Sequence, residues 1–250
     1  MEGENSIKKF IDKINSMSGK YSRWEILNDL VTMYAISLAN TCDRKRAEER
    51  EKEYLRIVAK YTKDELDDFT SLAAMVIVAL EENPDQDFLG DVYMRLRIAD
   101  KVRGQYFTPY PMSRCMAQIV WNGDSTEEDT IINEPACGSG VNLITIANTM
   151  KDHNFNYQQK AYFVAQDIDP LVAKMCYIQI SLLGCPGVVI IGDTLLGKFE
   201  EKDYWYTPFH FIYGMGILRR RKQKSEEESE RKKEEEQKED DWLLKAVGII

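Results

Sequence analysis

Residues 133–140 read Asn-Glu-Pro-Ala-Cys-Gly-Ser-Gly. A β-branched run, Thr130-Ile131-Ile132, leads into them. Val141-Asn142-Leu143-Ile144-Thr145-Ile146-Ala147 follows, with apolar residues at helical spacing. The order is strand, small-residue turn, helix. Gly138 and Gly140 can adopt dihedrals closed to other residues and let a ligand approach their backbone. The first N–H groups of the new helix, backed by its dipole, suit a carboxylate or a phosphate. The spacing is not the dinucleotide fingerprint, because no third glycine stands at the required offset. Taken alone, the pattern reads as a tight strand-to-helix turn without ligand.

Working outward, Ala161-Tyr162-Phe163-Val164-Ala165 reads as a second strand that ends at Asp167. Asp169-Pro170 fits the start of a helix, with Asp as N-cap and Pro at the first helical position. That helix is expected over Leu171 to Leu183, with Gly184 as its stop. Val188-Val189-Ile190-Ile191 is a third strand, followed by Asp193. A fourth is read at Phe209 to Tyr213. On the N-terminal side, Pro109 and Pro111 favour extended or turning backbone, and Met112 to Trp121 reads as a helix.

Residues 1 to about 100 read as helical. Trp24, Leu27, Leu30, Val31, Tyr34 and Leu38 are predicted to line one apolar face. Glu48 to Tyr61 is a second helix. Thr62 with Glu65 has the capping-box spacing and starts a third through Leu80, which ends near Asn83-Pro84. A further helix is expected over Phe88 to Val102. No residue in this part suggests chemistry.

A chain of 250 residues has room for a real core. Its net charge of −9 argues against coating nucleic acid through overall charge. Five scattered cysteines without Cys-x-x-Cys spacing, and no signal peptide or long apolar run, lead us to expect a reduced, cytoplasmic protein with no membrane segment. With only two histidines, no metal site is expected.

Glu134-Pro135-Ala136-Cys137-Gly138-Ser139-Gly140 resembles the Asp-Pro-Ala-Cys-Gly-Ser-Gly turn of the N6-adenine DNA methyltransferases, most closely the modification subunits of type I restriction systems. Three further segments resemble that family in its own order: Gly104-Gln105-Tyr106-Phe107-Thr108-Pro109, Gln166-Asp167-Ile168-Asp169-Pro170 and Gly192-Asp193-Thr194-Leu195. Four ordered matches are far more specific than any one. The resemblance implies S-adenosylmethionine as cofactor, with its methionine part on the glycine turn. It implies that Phe107 packs on the amino-acid end of the cofactor, that Thr108 bonds its charged end, and that Pro109 closes this segment. Asp167 would accept from ribose hydroxyls, Ile168 would lie on the adenine face, and Asp193 would accept from the adenine amino group. Asp193 capping a turn is an equal alternative.

The family's catalytic Asn/Asp-Pro-Pro-Tyr/Phe segment does not occur in these 250 residues. The nearest counterpart is Tyr206-Thr207-Pro208-Phe209, so Tyr206, Pro208 and Phe209 are the catalytic candidates. A hydrophobic strand and its border explain the same aromatics. The expected fold class is α/β: a Rossmann-like methyltransferase sheet, read here only to a fourth strand, preceded by an all-helical N-terminal domain. The expected divisions are 1–102 helical, 103–218 cofactor-binding, and 219–250 a charged tail with an apolar end. Arg219 to Asp241 is either a solvated helix or a disordered tail. The expected function is DNA N6-adenine methylation. The alternative is a catalytically silent cofactor-binding or assembly subunit beside a complete methyltransferase. DNA is the expected partner, directly or through another subunit; a specificity subunit or a second copy of the chain is the other. Site-specific DNA reading is expected to need another chain.

Overall fold

The computed structural model describes residues 2–96, 107–121 and 129–246, with side chains described between residues 4 and 232. Gly104, Gln105, Tyr106 and the apolar end 247–250 lie outside the described residues, as does the stretch expected to extend the helix to Val102.

Among the described residues five α-helices form the N-terminal layer: α1 (Glu2–Met17), α2 (Arg23–Cys42), α3 (Ala47–Val58), α4 (Lys63–Glu82) and α5 (Phe88–Arg95). Their ends follow local chemistry. Ser22 caps α2 by accepting from the Glu25 amide. Thr62 and Glu65 form the predicted reciprocal capping box on α4, at 3.3 and 2.7 Å. On α2, Leu27, Leu30 and Val31 are buried as expected, whereas Trp24 stands out in solvent. Burial on α2 also extends to Ile26, Met33, Ala35 and Ile36. It is wider than a stripe because α2 lies between α3 on one side and α9 (Pro170–Leu182) on the other.

The remaining elements are α6 (Tyr110–Val120), β1 (Thr130–Glu134), α7 (Val141–Asp152), a short α8 (Tyr157–Lys160), β2 (Ala161–Asp167), β3 (Gly187–Ile191), β4 (Tyr204–Tyr206) and α10 (Met215–Ala246). The sheet order is β1-β2-β3-β4. The first three strands are parallel, pairing Ile132 with Phe163 and Ala165 with Val189, and β4 runs antiparallel to β3. The helical crossovers α7 and α9 make the first three parallel. The β3–β4 connection, residues 192–203, holds only a single 3-10 turn, Glu201–Asp203, so the chain returns in the opposite direction. One apolar cluster runs from Phe10 and Leu27 through Tyr177 to Val189 and Trp205, so the helical layer and the sheet share a core.

The fourth strand is not at Phe209 to Tyr213. It is Tyr204–Tyr206, and His210–Gly214 is a π-helical turn leading into α10. Thr207 and Pro208 explain the shift. The Thr207 hydroxyl accepts the Gly187 amide at 3.0 Å and donates to the Cys185 carbonyl at 2.8 Å, which closes the strand pairing. The Thr207 carbonyl then accepts the His210 amide, and Pro208 has no N–H to continue a ladder. The carbonyls of Tyr204 and Tyr206 on this edge are engaged by Arg46 and by the Tyr177 hydroxyl. Helical-layer and core side chains thus occupy two of the backbone acceptors on this edge.

The charged segment is helical. Its base is tied to the sheet: Arg220 holds the Asp129 carboxylate through two nitrogens, at 2.6 and 2.9 Å, and Arg221 donates to the Asp129 carbonyl at 2.8 Å. No helix among the described residues is long and apolar enough to cross a membrane.

Candidate functional site

The carboxyl ends of β1 and β2 point the same way, and the turn that follows β1 lies beside the one that follows β2. Between them is a cleft of about 250 Å³, closed on a third side by the segment before α6. Phe107, Thr108, Ala136, Cys137, Gly138, Ser139, Asp167 and Ile168 line it. The structure therefore gathers residues from three of the four segments singled out in the sequence.

The backbone of the turn is as its composition demands. Gly138 has φ +52° and Gly140 φ +102°, both in the left-handed half of the map. A Cβ on Gly138 would stand 3.4 Å from the Phe107 ring, and one on Gly140 would stand 2.9 Å from Cys176 Sγ. Gly138 thus keeps the cleft floor low beneath Phe107, and Gly140 lets α9 pack under the start of α7. Phe107 is fixed from behind by Tyr93, ring centroids 5.2 Å apart.

Asp167 ties the two strand ends together. Its Oδ2 accepts the Gly138 amide at 2.8 Å and its Oδ1 accepts the Asp169 amide at 2.9 Å. A carboxylate has about four lone-pair sites, so each oxygen keeps one for a ligand. Asp169 does what its position predicts, accepting the Leu171 amide at 2.8 Å as the cap of α9. Ile168 is exposed at the cleft mouth, with 67 % of its surface open.

Several expected ligand donors are instead engaged within the protein. The Gly138 amide is held by Asp167, the Gly140 amide by the Cys137 carbonyl, and the Ala136 amide by Glu134. The first turn of α7 begins at Gly140 with no side-chain cap, so its amides are the donors aimed outward. Glu134 accepts from Ala136 and from Asn142 Nδ2 at 3.0 Å, which fixes the turn from the strand side. Pro135 is exposed, and its carbonyl accepts the Thr194 hydroxyl at 2.8 Å. Pro109 is the N-cap of α6.

Asp193 does not line the cleft. Its Oδ1 accepts the Leu195 and Leu196 amides, at 2.8 and 3.3 Å. Tyr206, Pro208 and Phe209 are not brought to the cleft either. Tyr206 pairs with Val188, near the amino end of β3, whereas Ile191 at the other end pairs with Asp167. The Tyr206 ring lies 4.4 Å from His210 and beneath the Arg46 guanidinium. Phe209 approaches Gly184 and packs on Tyr213.

Sequence reasoning missed Val141, Asn142 and Val172, which also line the cleft. Helical spacing puts Val172 two residues into α9, a signal that was available. It also missed the buried group beneath Ser139, formed by Asp87 and Gln179, which no local spacing announces. Among the described residues no cluster of three or more metal-ligating side chains occurs.

The family model for N-6 DNA methylases matches residues 84–241. The methylase subunit of the type I restriction enzyme MpnII from Mycoplasma pneumoniae is 27% identical over 143 residues, 54% of this chain and 25% of that subunit. The MjaVII methylase subunit from Methanocaldococcus jannaschii is 28% identical over 131 residues, 49% of this chain and 22% of that subunit. The chain thus spans about a quarter of the length of the curated relatives it matches. A solved type I restriction-modification methyltransferase subunit from Streptococcus thermophilus superposes with TM-score 0.38 at 20% identity, over 76% of this chain and 39% of that one. A solved Listeria monocytogenes chain, assigned to the class I S-adenosylmethionine-dependent methyltransferases, gives 0.46 at 14% identity, over 78% and 54%. The assignment does not rest on these two superpositions. It rests on the family match, which takes in every segment lining the cleft: this chain belongs to the N-6 DNA methylase family.

Proposed function

We propose that the chain binds S-adenosylmethionine in this cleft and serves methylation of adenine N6 in DNA. The observation that carries the reading is the convergence of Phe107-Thr108, the glycine turn and Asp167-Ile168 on one cavity at the carboxyl ends of parallel strands. Ligands of open α/β sheets bind at that end. The residues suit the cofactor's chemistry. An uncapped helix start would take its carboxylate. Asp167 keeps acceptor capacity for ribose hydroxyls, and exposed Ile168 offers an apolar face for a purine. The cofactor supplies an electrophilic methyl group; the chain's residues bind, orient and desolvate it, and direct displacement needs no covalent protein intermediate.

A second feature bears on turnover. Adenine's amino nitrogen is a poor nucleophile, because its lone pair is delocalised into the ring. Acceptors at the amino group stabilise the charge that develops on it, and losing one such contact typically costs about 100- to 1000-fold in rate. The position of Tyr206 at the far end of β3 favours the reading that these acceptors come from outside the described residues. On that reading DNA and a partner subunit are the partners, and the residues described here form the cofactor-holding element.

The test is tritiated-methyl transfer to unmethylated DNA by the purified chain, beside equilibrium binding of the cofactor. Binding with little or no transfer is expected. Multiple turnovers abolished by Tyr206→Phe would show that the phenol reaches the base after all. Absence of cofactor binding would remove the proposal.

A further inference from the structure

The glycine turn is gripped from below by residues distant in sequence. Ser139 sits between the two glycines and is buried. Its hydroxyl donates to Asp87 Oδ2, and its carbonyl accepts Gln179 Nε2 at 2.9 Å. The same Gln179 nitrogen donates to Asp87 Oδ1 at 2.8 Å, while Gln179 Oε1 accepts the Leu89 amide at 3.1 Å. Asp87 Oδ1 also accepts the Gly90 amide at 3.0 Å, which caps α5. Asp87, Ser139 and Gln179 therefore close a ring of hydrogen bonds in which α5, the turn and α9 each contribute a residue.

Two features mark this ring as more than a helix cap. An ordinary cap lies at the surface, where Ser, Thr or Asn serves as well as Asp. Asp87 is instead enclosed, and burying a carboxylate is costly unless its lone pairs are filled. Burial pushes its carboxyl above the usual range, opposed by the bonds from Gln179, Ser139 and Gly90. The backbone also makes room for the ring. A Cβ on Gly90 would stand 2.1 Å from Asp87 Oδ2 and 2.6 Å from Ser139 Oγ. Gly90 is helical with no positive φ, so close approach, not dihedral freedom, requires glycine there.

We propose that Asp87 is a positioning residue for the cofactor cleft: with Gln179 it fixes Ser139 by both side chain and carbonyl, and so sets where Gly138 and the first turn of α7 stand. The proposal rests on the reading that the cofactor occupies this cleft. It makes the helical layer a participant in binding, because α5 reaches the turn through one carboxylate. A ligand held by backbone groups is sensitive to small displacements of those groups, and this ring is the support beneath them.

The experiment compares Asp87→Ala, Asp87→Asn, Gly90→Ala and Ser139→Ala with wild type. It reads S-adenosylmethionine affinity by calorimetry, amide hydrogen exchange at residues 138–140 without cofactor, and melting temperature. Asp87→Ala should weaken binding about tenfold, mid-range for residues coupled through one hydrogen-bond network, and speed exchange at 138–140. Gly90→Ala should do the same with every polar group intact, by wedging Asp87 from Ser139. Asp87→Asn should stay within about threefold of wild type, less than one neutral hydrogen bond, because its oxygen still accepts and the Ser139 hydroxyl can turn to accept from its amide. If Asp87→Ala fails to fold, Ser139→Ala opens the same ring from the other side. Folded Asp87→Ala, or Ser139→Ala in its place, and folded Gly90→Ala with wild-type affinity and unchanged exchange would overturn the proposal, even if their melting temperatures fell. Should wild type bind no cofactor, the cofactor reading fails, and exchange at 138–140 still decides whether the ring holds the turn.

Discussion

The Asp167 carboxylate accepts the Gly138 amide at 2.8 Å, so the end of the second strand is bonded to the turn that leaves the first. This one contact gives Asp167 two duties. It shapes the turn, and it presents its remaining lone pairs to the cleft. Asp167→Ala should therefore weaken cofactor binding by about 1.5–3 kcal/mol, the range for hydrogen bonds to a charged group. Asp167→Asn should lose less, since its oxygen can still accept one bond. Calorimetric titration of both variants checks this; unchanged affinity in a folded Asp167→Ala protein would count against the ribose assignment.

The two glycines of the turn should separate stability from binding. Gly140 has φ +102° and a would-be Cβ 3.3 Å from the Cys176 backbone. Gly140→Ala should destabilise the fold by about 1–3 kcal/mol through backbone strain alone, with crowding added. Gly138 sits at φ +52° with only the Phe107 ring nearby, where the backbone cost is about 1–2 kcal/mol. Its added methyl would rise into the cleft, so Gly138→Ala should reduce affinity more than its stability loss explains. Denaturant midpoints and binding titrations on both proteins compare the two effects. Equal behaviour would mean that the turn is a structural corner only.

His210 gives a pH signature. Burial pushes its imidazole below the ordinary histidine value, and its Nδ1 lies 2.8 Å from the Tyr162 hydroxyl. A histidine depressed in the folded state contributes stability above its unfolded pKa of about 6.5. That contribution is lost as pH falls through the lowered folded value, because the unfolded chain then binds more protons. Urea unfolding at pH 7.5 and at pH 5 should show a stability loss in wild type that is smaller in His210→Gln. Parallel pH dependence in the two proteins would remove His210 from the account.

The base of the charged helix is a separate matter from the cofactor. Arg220 holds Asp129 through two nitrogens while remaining half exposed. Asp129 is largely buried, so losing Arg220 leaves its carboxylate without this partner and should cost about 1–3 kcal/mol, while cofactor affinity should stay unchanged. Thermal melts and titrations of Arg220→Ala test both halves. A large fall in affinity would connect the α10 base with a cleft at the other end of the strands.

What could be read from the sequence was local. Thr130-Ile131-Ile132 followed by small residues, Asp169 before Pro170, and Thr62 three residues before Glu65 all fix backbone through neighbours, and the structure has each in place. Tyr204 to Tyr213 was ambiguous, because aromatic residues favour strands and also pack well along helices. Thr207, with its hydroxyl on Gly187, settled the matter through a contact twenty positions away. Asp193 is held by its own neighbours, its Oδ1 accepting the Leu195 and Leu196 amides. The Asp87, Ser139 and Gln179 ring joins residues 52 and 40 positions apart. Each reads alone as a cap, a turn residue and a helix-face polar group, and only the fold brings them together.

The central claim is that the cleft between Phe107, the glycine turn and Asp167 holds S-adenosylmethionine. The most direct measurement is titration of the cofactor into the intact chain, with amide hydrogen exchange mapped before and after saturation. Saturable binding is expected, with new protection at residues 136–143 and 167–169 and at Thr108. No binding at millimolar cofactor, or protection confined to residues outside these segments, would contradict it.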